Sequence, residues 1–244
     1  MRTESTSPRP VAAPASVPVA LPAAVPVVAP GGGGTSAVER AYAHVADAII
    51  SGSLPASSFL TEGEVAGALN LSRTPVREAF LALEARGLIR LFPKKGAVVT
   101  ALDEAESTEL LQVRIMLETT AVRLLGERPH GSGIVDADLA ALIEIQADAA
   151  ASGDLLTFAR ADHRFHARIV DENRNRLIDG FYAQLGPRLE RLTHRVASRD
   201  PRNLERLLAE HRALARHVAT GDTAAYDRAL REHVEAGHFS VGDH

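Results

Sequence analysis

The sequence predicts a mainly α-helical protein, with an N-terminal winged helix-turn-helix followed by an antiparallel all-helical bundle. Three observations point there. From residue 37 almost to the end, apolar residues recur at helical spacing. Near the start of that run, two short β-type segments flank a basic turn, Pro93-Lys94-Lys95-Gly96. Aromatics make up only 4% of the 244 residues and Trp is absent, so the core is left to Leu, Ala, Val and Ile, which suits helix-on-helix packing. Cys is also absent, which excludes disulfides and thiolate metal sites and leaves imidazole and carboxylate as side-chain metal ligands.

Residues 1 to 36 read as a disordered, partly polyproline-II tail. Pro recurs seven times from Pro8 to Pro30 within Ala and Val, and Gly31 to Gly34 follow. A secretory signal is excluded because Pro interrupts every apolar stretch there. No other stretch approaches the roughly 18 uninterrupted apolar residues of a membrane span. A cytoplasmic location is expected.

Residues 37 to 100 are expected to form the winged helix-turn-helix. Val38, Tyr42, Val45, Ile49 and Ile50 make one apolar stripe that stops at Gly52. Thr61-x-x-Glu64 reads as a capping box opening a short helix to Leu69. Leu69-Asn70-Leu71 fits a tight turn, after which Ser72 should cap a third helix ending at Gly87. Two strands, residues 88 to 92 and 97 to 100, complete the wing.

Net charge is −4, so bulk charge does not mark a nucleic-acid binder; its distribution does. Six basic and two acidic residues lie between Arg73 and Lys95, and the only lysines of the chain, Lys94 and Lys95, sit at the hairpin tip. Arg73 and Arg77 share one face at the N-terminal end of the third helix. A recognition helix presents that end to base edges in the major groove, where Arg bonds guanine bidentately. Ser72 and Thr74 are placed to reach phosphate, as are Lys94 and Lys95 on the wing. The bland alternative, a solvated face pairing with Glu78 or Glu84, does not explain why helix, turn, helix and basic wing occur together.

The run Leu60-Thr61-Glu62, Leu71-Ser72-Arg73-Thr74-Pro75-Val76-Arg77-Glu78-Ala79 and Leu83-Glu84-Ala85-Arg86-Gly87-Leu88-Ile89 resembles the GntR family of bacterial transcription regulators. The resemblance implies that Arg73, Thr74 and Arg77 contact DNA. Many members of the family carry Arg immediately before the position of Glu64; this chain has Gly63, which removes one expected contact.

Residues 101 to 244 are expected to form the bundle: six helices, or seven if a short one sits at a junction. Asp103-x-x-Glu106 reads as a cap, and Gly153-Asp154 and Gly221-Asp222 each read as a helix stop followed by the next start; Asp200-Pro201 reads as a cap with Pro at the first helical position. Three inward stripes carry polar groups: Asp162 and His166 with Phe158, Phe165 and Ile169; His211 with Leu204, Leu207, Leu208, Leu214 and Val218; and His233 with Tyr226, Leu230 and Val234. Burying these four groups unpaired is costly. A shared divalent cation satisfies them, with Zn first and Ni, Mn or Fe as alternatives; a buried hydrogen-bond network without metal is the competing reading. His163, His194 and His217 fall off the stripes and are expected at the surface, and His238 is ambiguous. Arg114 also points inward, where a buried guanidinium requires an anion, either Glu118 or a small carboxylate effector.

Arg114-x-x-x-Glu118, Asp162-x-x-Phe165-His166, Asn175, His211 and His233 resemble the FCD-type C-terminal domain of GntR regulators. The resemblance implies a metal on the Asp and three His, an organic-acid effector near Arg114 and Asn175, a homodimer on a pseudo-palindromic double-stranded DNA operator, and a repressor released by ligand. Two rivals stay open: a metal-dependent enzyme, for which no extra general base is evident, and a regulator whose metal is structural or is itself the signal.

Overall fold

The computed structural model describes residues 36–127, 133–200 and 202–238. The Pro-rich tail, Pro201 and the side chain of His238 lie outside the described residues.

The chain opens with α1 (Ala37–Ile50), where Ser36 and Glu39 form a capping box. A two-residue strand, β1 (Phe59–Leu60), precedes α2 (Glu62–Leu69), which the expected Thr61 and Glu64 box starts. Asn70 ends α2 in the left-handed region (φ 52°), making the sharp turn into α3 (Arg73–Ala85). Ser72 holds the cap position of α3, yet its side chain makes no capping bond, against expectation. The wing follows as β2 (Ile89–Phe92) and β3 (Gly96–Val99). The sheet is antiparallel in the order β1-β3-β2, so β3 is central, and β1 is an element the sequence did not suggest. Val45, Ile49, Val76, Phe80, Leu83 and Leu88 are buried together beneath the sheet.

Six longer helices complete the described chain: α4 (Glu104–Gly126), α5 (Gly133–Ser152), α6 (Leu155–Val170), α7 (Arg176–Ala197), α8 (Arg202–Thr220) and α9 (Thr223–His238). A 3-10 turn, Asp171–Asn173, joins α6 to α7. Asp103 caps α4 and Asp154 caps α6 as expected. Gly153 and Gly221 take positive φ, 73° and 68°, a conformation only glycine adopts freely, and so end α5 and α8. The apolar stripes of α4 to α9 meet in a second core. Among the described residues, no helix is long and apolar enough to cross a membrane.

The two cores touch. Helix α1 packs on α7 as well as on α3, and Leu156 at the start of α6 rests on the N-terminal core. Arg160 of α6 forms an ion pair with Asp47 of α1. Arg191 and Arg195 of α7 donate to the carbonyls of Thr100 and Leu102 at 2.7 and 3.1 Å, and Arg188 donates to Glu106 at 2.8 Å.

Candidate DNA-reading groove and metal centre

Helix α3 buries Val76, Ala79, Phe80 and Leu83, which turns Arg73, Thr74 and Arg77 to solvent with Ser72 just ahead of them. Lys94 and Lys95 are exposed at the wing tip, where Lys94 takes a positive φ of 61° to close the turn. Between helix and wing runs a groove of about 710 Å³ lined by Arg73, Arg77, Phe92, Lys94, Lys95 and Gly63, among others. Among the described residues neither arginine is paired with an acid. Glu84, on the same helix, accepts a hydrogen bond from the backbone N–H of Leu91 at 2.7 Å. The cationic face is therefore free. A Cβ at Gly63 would stand 3.5 Å from Nη2 of Arg73, so the guanidinium lies over the start of α2 where the residue is smallest.

The second site is built by α6, α8 and α9. Asp162, His166, His211 and His233 are all buried, and one ligand atom from each lies within 4.8 Å of the other three. The outer nitrogen of every imidazole has a partner: His166 Nδ1 meets Glu118 at 2.8 Å, His211 Nδ1 meets Gln146 at 2.5 Å, and His233 Nδ1 meets Glu210 at 2.7 Å. These acceptors fix the tautomers, leaving the Nε2 lone pairs to converge. His166 Nε2 stands 3.2 Å from His211 Nε2, and Asp162 Oδ1 stands 3.3 Å from that same atom.

Electrostatics favours the metal-ready state. Burial alone would raise the Asp162 carboxyl, but Arg114 and His211 hold it well below the usual carboxylate range. Burial, with Arg114 adding to it, holds His166 well below the usual imidazole range, and burial lowers His233 despite Glu210. Neutral imidazoles and an ionised carboxylate are the forms a divalent cation requires, so the donor set fits such an ion.

Arg114 is 2% exposed and bridges the acids. Its Nε donates to Glu118 at 3.1 Å, and Nη2 stands 3.7 Å from Asp162 Oδ2 with no hydrogen-bond partner of its own. Glu118 also accepts from Tyr226 at 2.7 Å, and Thr193 donates to Asp162 Oδ2 at 2.9 Å. One guanidinium against two carboxylates leaves one negative charge, which a divalent cation would turn into one positive charge.

The structure brings Arg114 to this cluster but not Asn175, which is exposed at the start of α7 and caps that helix by accepting from Leu177 N–H at 3.0 Å. His163, expected at the surface, is partly buried. It lies between α6 and α7, stacked on Tyr182 with centroids 5.5 Å apart, and burial lowers it to about 4. His194 and His217 are partly buried. Gln146, Glu210, Thr193 and Tyr182 went unnoticed in the sequence. Of these, only Glu210, adjacent to His211, offered a positional signal.

Taken together, a winged helix with a free cationic face and an appended helical domain define a DNA-binding transcription regulator. The model described as "Bacterial regulatory proteins, gntR family" matches residues 37–99, and the FCD domain model matches residues 109–236. The "Probable D-xylose utilization operon transcriptional repressor" of Paenarthrobacter nicotinovorans is 30% identical over 188 residues, 77% of this chain and 81% of that protein. The gluconate operon transcriptional repressor of Bacillus licheniformis is 29% identical, covering 80% and 81%. The crystal structure of a GntR transcriptional regulator from Rhodococcus sp. RHA1 superposes with a TM-score of 0.71 at 25% identity, covering 84% of this chain and 97% of that one. The chain belongs to the GntR family with an FCD domain, and it is a regulator rather than an enzyme.

Proposed function

We propose that this regulator is a homodimeric, cytoplasmic repressor that is released from its operator by a small organic acid bound beside a divalent cation. The reading divides the chain into a DNA-reading part, residues 37–100, and a sensing part, residues 101–244. Ser72, Arg73, Thr74, Arg77, Lys94 and Lys95 contact DNA, with paired α3 helices roughly 34 Å apart in successive major grooves. Asp162, His166, His211 and His233 hold the ion, Zn before Ni, Mn or Fe, and Arg114 takes the effector's carboxylate. Asn175 has no place in this site.

One observation carries the sensing half: three imidazoles have their Nδ1 atoms tied to Glu118, Gln146 and Glu210, and their Nε2 atoms converge on Asp162. A bound cation would supply a Lewis-acidic docking point for a carboxylate. Nη2 of Arg114, with two N–H groups, is unpartnered beside it. The gluconate operon relative adds weight to sugar acids as an effector class. An acid that binds one arrangement of the two halves better shifts the population toward it.

Native mass spectrometry with metal analysis, followed by operator titration with and without zinc and acids, tests this. One ion per chain and an acid that weakens operator binding only in the zinc-loaded protein are expected. Operator binding that responds to zinc alone makes the metal the signal, and binding indifferent to both makes it structural.

A further inference from the structure

Among the described residues, four buried polar atoms around the metal centre have no partner: Nε2 of Gln146, on the His211 side, and Nη2 of Arg114, the hydroxyl of Tyr182 and Nδ1 of His163. The last three belong to α4, α7 and α6, three helices that pack together. None is among the four metal-facing groups. Orphaned buried polar atoms are expensive and call for an explanation. The last three lie on adjacent helices, next to a site that a bound divalent cation would make net positive, and share one.

Local packing shows that the arrangement is built in. His163 stacks on Tyr182 at 21° between ring planes, so the two side chains form one wall. One turn along α7 from Tyr182 is Gly186. A Cβ there would fall 2.6 Å from Nε2 of His163, so only glycine lets the imidazole lie against this helix. Tyr182 is 2% exposed and lies in the combined field of Arg114, Glu118 and Asp162; burial and the two carboxylates keep its hydroxyl protonated, and so a donor.

We propose that Tyr182, His163 and Nη2 of Arg114 form a second anchor that takes an oxygen-bearing group of a bifunctional acid whose first carboxylate sits at the metal. This rests on the organic-acid reading above and names the class: short hydroxy acids or dicarboxylates, not simple monocarboxylates. Arg114 and Tyr182 both donate, so the second group must accept, as a carboxylate or hydroxyl does. Nδ1 of His163 completes the set from the third side. Sites built to bond a substrate oxygen reject analogues that lack it, because their own polar groups then stay unpaired.

Calorimetric titration of the zinc-loaded full chain with malate, succinate, D-gluconate and butyrate tests this. Succinate and butyrate share a four-carbon chain and differ in the terminal carboxylate, and malate adds a hydroxyl to succinate. At least one bifunctional acid should bind tenfold or more tighter than butyrate. Tyr182→Phe should abolish that preference while zinc content and butyrate affinity stay unchanged, and His163→Gln should reduce it. Equal affinity in Tyr182→Phe, or no preference over butyrate in the wild type, overturns the second anchor alone. A wild-type protein that holds zinc but binds none of the four overturns the organic-acid reading with it. Should both variants fail to fold, tyrosine 13Cζ labelling of the wild type decides. One of the three tyrosine signals shifting with malate and not with butyrate supports the anchor, and no such shift overturns it.

Discussion

The Nε2 atoms of His166 and His211 face each other at 3.2 Å, each with its opposite nitrogen already committed to an acceptor. A cation between them would take a lone pair from each. Zinc at a hundredfold excess over its dissociation constant should stabilise the protein by about 2.7 kcal/mol. For a chain of this size that raises the melting temperature by about 5–10 °C. His211→Ala should remove the shift. Glu210→Gln keeps all four ligands and should weaken zinc about 10–100-fold through His233 alone. Thermal melts with and without zinc, after chelation, check both; a full shift in His211→Ala would remove this residue from the site.

Arg73 and Arg77 differ from Lys94 and Lys95 in what they should read. Alanine at either arginine should cost about 1–3 kcal/mol against the operator and little against random DNA. Alanine at either lysine should weaken both DNAs alike and reduce the slope of log affinity against log salt by about one. Fluorescence anisotropy at several salt concentrations separates the two behaviours.

Glu190 lies on α7 where it meets α1. Burial, reinforced by Asp47 against the pull of Arg160, pushes its carboxyl up to about 7. An unfolded Glu titrates near 4.5. Between those values the folded protein holds the proton and the unfolded chain does not. Stability therefore falls as pH rises through that window. After allowance for partial exposure the loss is about 2 kcal/mol. Glu190→Gln should flatten it. Urea unfolding at pH 5 and pH 8 is the measurement, and equal pH dependence in the two proteins would remove Glu190 as the cause.

Gly96 opens the central strand with φ 139°, and a Cβ there would meet the carbonyl oxygen of Leu60 at 2.5 Å. Gly96→Ala should separate β1 from β3 and cost about 1–3 kcal/mol of stability. The damage should extend to DNA affinity, since Lys94 and Lys95 hang from the same turn. An unchanged urea midpoint would show that the sheet adjusts freely.

Most of this was legible in the sequence for a simple reason. Helices with one apolar stripe and capped ends, such as α8 with its six inward residues from Leu204 to Val218, announce themselves locally. The cluster of Asp162, His166, His211 and His233 was legible because polar residues on such a stripe need buried partners. What escaped depends on neighbours. Strand β1 is two residues long, too short for any periodicity, and exists only because β3 pairs with it. His163 is partly covered because α6 packs on both α5 and α7, on more than the single face its strongest stripe reveals. Ser72 matches the cap pattern, yet its side chain makes no capping bond. Gln146 sits on a different helix from His211, and nothing local in the sequence pairs them.

Arg191 and Arg195 grip the chain at the carbonyls of Thr100 and Leu102, main-chain groups that every residue type carries. The fastening is therefore blind to the identity of the side chains it holds. Replacing the upstream side chains would leave these carbonyl acceptors in place, although the Arg160–Asp47 ion pair and the packing of α1 on α7 would have to be kept. At these two points α7 holds the start of the helical domain through the main chain alone.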